Sequence, residues 1–204
     1  MRTRVRLGIL AAATLGSIVM SSCATFRPGS VGPREAWPPS APAVRKSIAI
    51  TVRMTRSMEF GPSDNALPVS DDELSQLRGR IWAQYQDSGL FSDVKTGFDD
   101  ADLRADVQVV HRADASLGLS ILSGLTIMMV PLKTNVDEFT YMTTFKNRDG
   151  AVLATIEKRE ALDTWFQLFL VFVAPFKNIV SQADAANDDL VRATIEEARA
   201  QKIL

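Results

Sequence analysis

The chain of 204 residues carries one thiol, Cys23, and one imidazole, His111. A single cysteine excludes an internal disulfide and a thiolate zinc cluster. His111 falls in an alternating stretch, in phase with Val107 and Val109, which is the setting of a structural histidine more than of a base. Asp99, Asp100, Asp102 and Asp106 come nearest to a cation site, but they lack the turn glycine and distal glutamate of a calcium loop and read as a solvated acidic loop. The patterns HExxH, GxSxG, Walker A and GxGxxG are absent, and no carboxylate pair stands apart from the other acids. These residues predict no enzyme, no metal and no cofactor.

Cys23 gains meaning from what precedes it. Arg2, Arg4 and Arg6 open the chain, an apolar run spans Leu7 to Met20, and small residues lead up to the thiol. This is the layout of a secretory signal peptide, and its run is shorter than the roughly 20 residues a bilayer span needs. The tetrapeptide Met20-Ser21-Ser22-Cys23 resembles the lipobox of a bacterial lipoprotein precursor, with Met20 where leucine is more usual. That resemblance covers about the first two dozen residues. It implies cleavage between Ser22 and Cys23 and a lipid anchor, with acyl chains such as palmitate, on the cysteine sulfur. Two or more chains give stable membrane attachment where one does not. Ala24 follows the cysteine, not the aspartate associated with inner-membrane retention. The resemblance therefore implies the periplasmic face of the cell outer membrane, with the inner membrane less favoured.

Without residues 1–22 the chain loses three arginines and no acids, so the formal charge moves from −1 to −4. Weak acidity argues against a nucleic-acid partner, which calls for a concentrated basic face. Residues 23–43 hold Pro28, Pro33, Pro38, Pro39 and Pro42 and read as a lipidated, extended tether reaching up to about 60 Å. Residues 44–204 then suit one domain.

Ser47 to Arg56 alternates as a strand does. Ser70 followed by Glu73 forms a capping box ahead of Leu74, Leu77, Ile81, Trp82 and Tyr85 at helical spacing, with Gly89 as the stop. Short strands are expected at Phe91–Thr96 and Ala105–Arg112. Asp149-Gly150 predicts a hairpin between Glu138–Lys146 and Ala151–Arg159. Asp184–Lys202 reads as an amphipathic helix. The fold class expected is α+β: an antiparallel sheet of about four or five strands with two amphipathic helices packed on it.

Two apolar runs stand out, Leu117–Leu132 and Trp165–Phe176. Each follows an acid and a hydroxyl residue, and each ends in a proline and then a lysine, Lys133 or Lys177. Both read as short apolar helical segments. They flank the hairpin strands, so they should leave the same end of the sheet and meet. Ordinary core, a protein partner or the membrane interface can each take them. The all-round apolarity of the second run and the presence of Trp165 favour the interface. The contact residues expected are Leu125, Ile127, Met128, Trp165, Phe166, Phe169 and Phe172. The sequence thus points to a non-enzymatic binding or scaffolding lipoprotein of the cell envelope, bound to lipid through acylated Cys23. The alternative is an accessory subunit of an export or lipid-transport complex that docks on an envelope protein through the same patch.

Overall fold

The computed structural model describes residues 23–29, 31–32, 37–42, 44–60, 63–97, 100–115, 121–122, 131–173 and 175–204. Seven strands form one sheet: β1 (Cys23–Phe26), β2 (Ser47–Phe60), β3 (Ser63–Leu67), β4 (Asp93–Thr96), β5 (Leu103–Ala115), β6 (Leu132–Asn147) and β7 (Val152–Phe166). Their order is β1-β7-β6-β5-β2-β3, and β4 also pairs with β2. The pairs β2–β5 and β2–β4 are parallel and the others antiparallel. Among the described residues, helix α1 (Asp71–Asp87) and helix α2 (Ile179–Ala200) accompany the sheet.

The expected antiparallel sheet of four or five strands is therefore corrected to a mixed sheet of seven. Two strands are too short or too polar to announce themselves. Cys-Ala-Thr-Phe spans only two periods, and Ser-Asp-Asn-Ala-Leu has no apolar alternation. The parallel pairing arises because α1 intervenes between β2 and the strands that return beside it.

Local signals hold up well. The Ser70 hydroxyl accepts from Glu73 N–H at 3.2 Å and caps α1. Asn178 caps α2 the same way, accepting from Ser181 N–H at 2.8 Å. Gly150 turns the β6–β7 hairpin at φ 85°, a conformation only glycine adopts without strain. Every second residue of the central strands faces the helices: Ile48, Ile50 and Val52 on β2, Leu103 to Val109 on β5, Tyr141 and Phe145 on β6, Ile156 and Leu162 on β7. Ile81 and Tyr85 of α1 and Leu190, Val191, Ile195 and Ala198 of α2 close the same cluster. The opposite face carries residues such as Thr51, Arg53, Asp106, Gln108 and Thr144.

The second apolar run is not a helix throughout. Trp165 and Phe166 extend β7, and a 3₁₀ turn covers Leu168–Phe172. A run that is apolar on all sides does not discriminate strand from helix, and pairing with strands on both sides decided for the strand. Most of the first run, including Leu125, Ile127 and Met128, lies outside the described residues. Its end does meet the second run, since Leu132 pairs with Phe166.

The segment read as a tether also packs on the domain. Ala24 and Thr25 are fully buried in β1, and Val31 is buried too. Arg27 donates to Glu160 at 3.1 Å, to Asp189 at 2.7 Å and to the Val31 carbonyl at 2.8 Å, and Val31 N–H donates to Glu160 at 2.9 Å. Further on, the Arg192 guanidinium lies over the Trp37 ring at 5.4 Å.

Candidate functional site

Cys23 opens β1 directly opposite Phe166, so the two side chains share one face of the sheet. Phe166 is flanked on its other side by Leu132. Just beyond, Gln167 begins the 3₁₀ turn, and the chain folds back so that the Lys177 carbonyl accepts from Thr25 N–H at 2.7 Å. That bond ties the start of β1 to the loop ahead of α2. The result is a single end of the sheet where Cys23, the 3₁₀ turn and the first residues of α2 come together.

This end is apolar and uncovered. Phe169 is 59% exposed, Phe172 78%, Phe176 79% and Val180 66%, where a domain core would hold such side chains near zero. Phe26, Ile179, Ile121 and Leu122 are exposed as well. Among the predicted contact residues, Trp165 and Phe166 lie in β7, half-buried, and Phe169 and Phe172 stand out from the turn. Phe26, Ile179 and Val180 were not singled out from the sequence, and Phe176 was named only as the end of the second apolar run. Ile179 and Val180 directly follow the cap at Asn178, and their exposure becomes meaningful only once α2 is seen to start there. Lys133 binds Asp163 at 2.9 Å within the sheet. Burial pushes the Cys23 thiol above its ordinary range, so the free sulfur is a poor thiolate. No described helix is long and apolar enough to cross a membrane.

A second feature lies deeper, where the helices approach the sheet. A cleft of about 290 Å³ is lined by Met54, Leu77, Val109, Phe139, Tyr141 and Leu162, with charged residues at its margin. Arg56, His111, Phe139 and Glu160 form one row across β2, β5, β6 and β7. Arg56 Nε–H donates to His111 Nδ1 at 3.1 Å, which leaves Nε2 as the ring N–H facing Asp137 at 2.9 Å. Asn135 donates to the other Asp137 oxygen at 2.6 Å. The imidazole stacks on Phe139, with centroids 4.4 Å apart and planes at 8°. Arg56 also pairs with Glu73, and Arg80 pairs with Asp184 at 2.6 Å. Both ring nitrogens of His111 are thus engaged, and the margin charges meet opposite charges.

The acidic loop is dispersed. Asp99 lies outside the described residues. Asp100 pairs with Arg148, while Asp102 accepts from the Ser47 N–H at 2.9 Å and hydroxyl at 2.8 Å, which hold its carboxyl below the usual range. Burial pushes the Asp106 carboxyl up, but hydrogen bonds from Lys146 at 2.5 Å and Thr51 at 2.6 Å outweigh it and hold the group below its ordinary range.

No protein-family model matches the chain, and no curated protein matches it. Among solved structures, a minor lipoprotein from Acinetobacter baumannii is similar at 13% identity and a TM-score of 0.38, covering 77% of this chain and 92% of that one. A PelC dodecamer from Paraburkholderia phytofirmans is similar at 11% identity and a TM-score of 0.32, covering 83% and 97%.

Proposed function

We propose that the chain is a lipoprotein of the cell envelope, anchored through an acylated Cys23, that binds or scaffolds without catalysing a reaction. Its exposed phenylalanines enter the same membrane surface. One observation carries this reading: the lipobox-like cysteine and Phe169, Phe172 and Phe176 share one end of the sheet, joined by the Thr25–Lys177 bond. A lipid on that sulfur brings those rings to the bilayer without further movement. The anchor would sit in the periplasmic face of the outer membrane, a reading supported by Ala24 after the cysteine.

Mass spectrometry of the N-terminal peptide from native cells tests the anchor. A diacylated or triacylated Cys23 as the first residue supports it, and a bare thiol behind an uncut leader overturns it. The rings are tested separately by vesicle flotation of a leaderless Cys23→Ser chain. Burying one phenylalanine contributes about 1.5–3 kcal/mol, so Phe169→Ser, Phe172→Ser and Phe176→Ser together should weaken partitioning by more than about 100-fold. Unchanged flotation would remove the membrane from the role of this patch. Photo-crosslinking from Phe172 separates the rival reading, because a single protein adduct in place of lipid adducts favours docking on an envelope complex.

A further inference from the structure

Strand β2 pairs with β3, β4 and β5, yet its outer edge is covered only at its two ends. β4 pairs with Ser47 to Ile50 and β3 with Arg56 to Phe60. Across residues 51–55 the strand pairs only with β5, among the described residues. Gly97 N–H donates to the Ile50 carbonyl at 2.9 Å from the outer side, and Arg78 Nη2 reaches the Val52 carbonyl at 3.5 Å from that side. Backbone groups alternate sides along a strand, so the N–H and carbonyl of Met54 also point outward. The break spans about 20 Å between Ile50 and Arg56 at 3.3 Å per residue, enough for a strand of four or five residues.

The surface around the break is shaped and charged. A cavity of about 520 Å³ lies there, lined by Ile50, Val52, Arg53, Arg78, Trp82 and Thr96 among others. Trp82 is fixed by its Nε1–H bond to the Val94 carbonyl at 2.9 Å and forms an apolar wall. Arg53 and Arg78 are both exposed, one on β2 and one on α1. An incoming strand would replace the long Arg78 contact with a main-chain N–H bond and free that guanidinium for a carboxylate.

We infer that the β2 edge between β4 and β3 is a docking site for an extended acidic peptide segment of another protein, which adds a short strand beside Val52 and Met54. The ladder supplies affinity, Trp82 takes an apolar side chain, and Arg53 and Arg78 select acids. The inference is independent of the membrane reading, since it uses the opposite edge of the sheet from β1.

The test titrates the protein purified from its producing cells with the pentapeptide Glu-Glu-Val-Glu-Glu, whose valine faces Trp82 while its acids lie on both faces of the added strand. A lysine–valine counterpart and a version N-methylated at alternate amides serve as controls. The acidic peptide should bind at least tenfold tighter than either control, and it should slow hydrogen exchange of the Met54 amide at least tenfold. Arg53→Glu with Arg78→Glu, both at exposed sites, should lower its affinity at least tenfold with the circular dichroism spectrum unchanged. Equal binding of the three peptides would overturn the proposal. So would a Met54 amide already as protected in the free protein as in the mixture, or a charge-reversed variant that binds as well as the parent.

Discussion

Arg27→Ala is the sharpest perturbation of this structure. Arg27 sits four residues after Cys23 and bonds Glu160, whose side chain has no exposure, and Asp189, whose side chain is 8% exposed. Removing the guanidinium deprives Glu160 of its countercharge and leaves it the Val31 amide as donor. Breaking a buried ion pair from one side costs about 3–5 kcal/mol, far more than the net worth of the intact pair, because a desolvated charge is left behind. With a urea dependence near 2 kcal/mol per molar, the unfolding midpoint should fall by about 2 M, and the melting temperature by about 10 °C. Urea unfolding followed by circular dichroism reads this directly. The triple change Arg27→Met, Glu160→Leu and Asp189→Leu should recover most of the loss, since it removes the charges along with the bonds. A midpoint shift worth less than about 1 kcal/mol for Arg27→Ala would refute the reasoning. It would mean that the Arg27 ion pairs add little to the strand pairing and burial that already hold the segment from Cys23 to Val31.

Two aspartates should respond to pH with opposite signs. Asp106 is held below the unfolded value near 3.9, so its contribution is present above that value and is lost as pH falls through the folded one. Burial, opposed by Arg80 and Arg192, pushes Asp188 up, and its Oδ1 is buried without a partner among the described residues, so folding takes up a proton there. Stability from that uptake is present below about pH 3.9 and is lost as pH rises through the folded value. Asp106→Asn should therefore destabilise at pH 7 and Asp188→Asn should stabilise, with both differences shrinking at pH 3; urea midpoints at the two pH values check this, and shifts of the same sign would contradict it. The Tyr85 hydroxyl is also buried without a partner among the described residues, and burial pushes its ionisation upward. Tyr85→Phe should raise stability by about 1 kcal/mol, and a loss of that size would reveal a bond to the hydroxyl.

Features that depend on near neighbours were legible in the sequence. The Ser70 cap, the Asp149-Gly150 hairpin and the apolar faces of α1 and α2 follow from spacing, and the helix expected at Asp184–Lys202 starts five residues earlier only because Asn178 supplies the cap. Features set by distant pairing were not legible. β1 exists because β7 offers an edge, and Trp165 and Phe166 are strand because Leu132 and Cys23 lie on either side. The Arg56–His111–Asp137 hydrogen bonds join residues 55 and 26 positions apart, and no local pattern marks them as neighbours. The exposed end was half visible: its phenylalanines could be named, but their gathering around Cys23 required the β1–β7 register.

The docking of β1 fixes a height. A lipoprotein on a loose proline-rich leash sweeps a volume and meets partners at many distances from the leaflet. Here the open stretch of β2 lies about ten residues along the sheet from its Leu132 end, or about 30 Å at 3.3 Å per residue. With the lipid proposed for Cys23 in place, a molecule built this way would be a ruler as well as a hook, presenting one edge at one level above the bilayer.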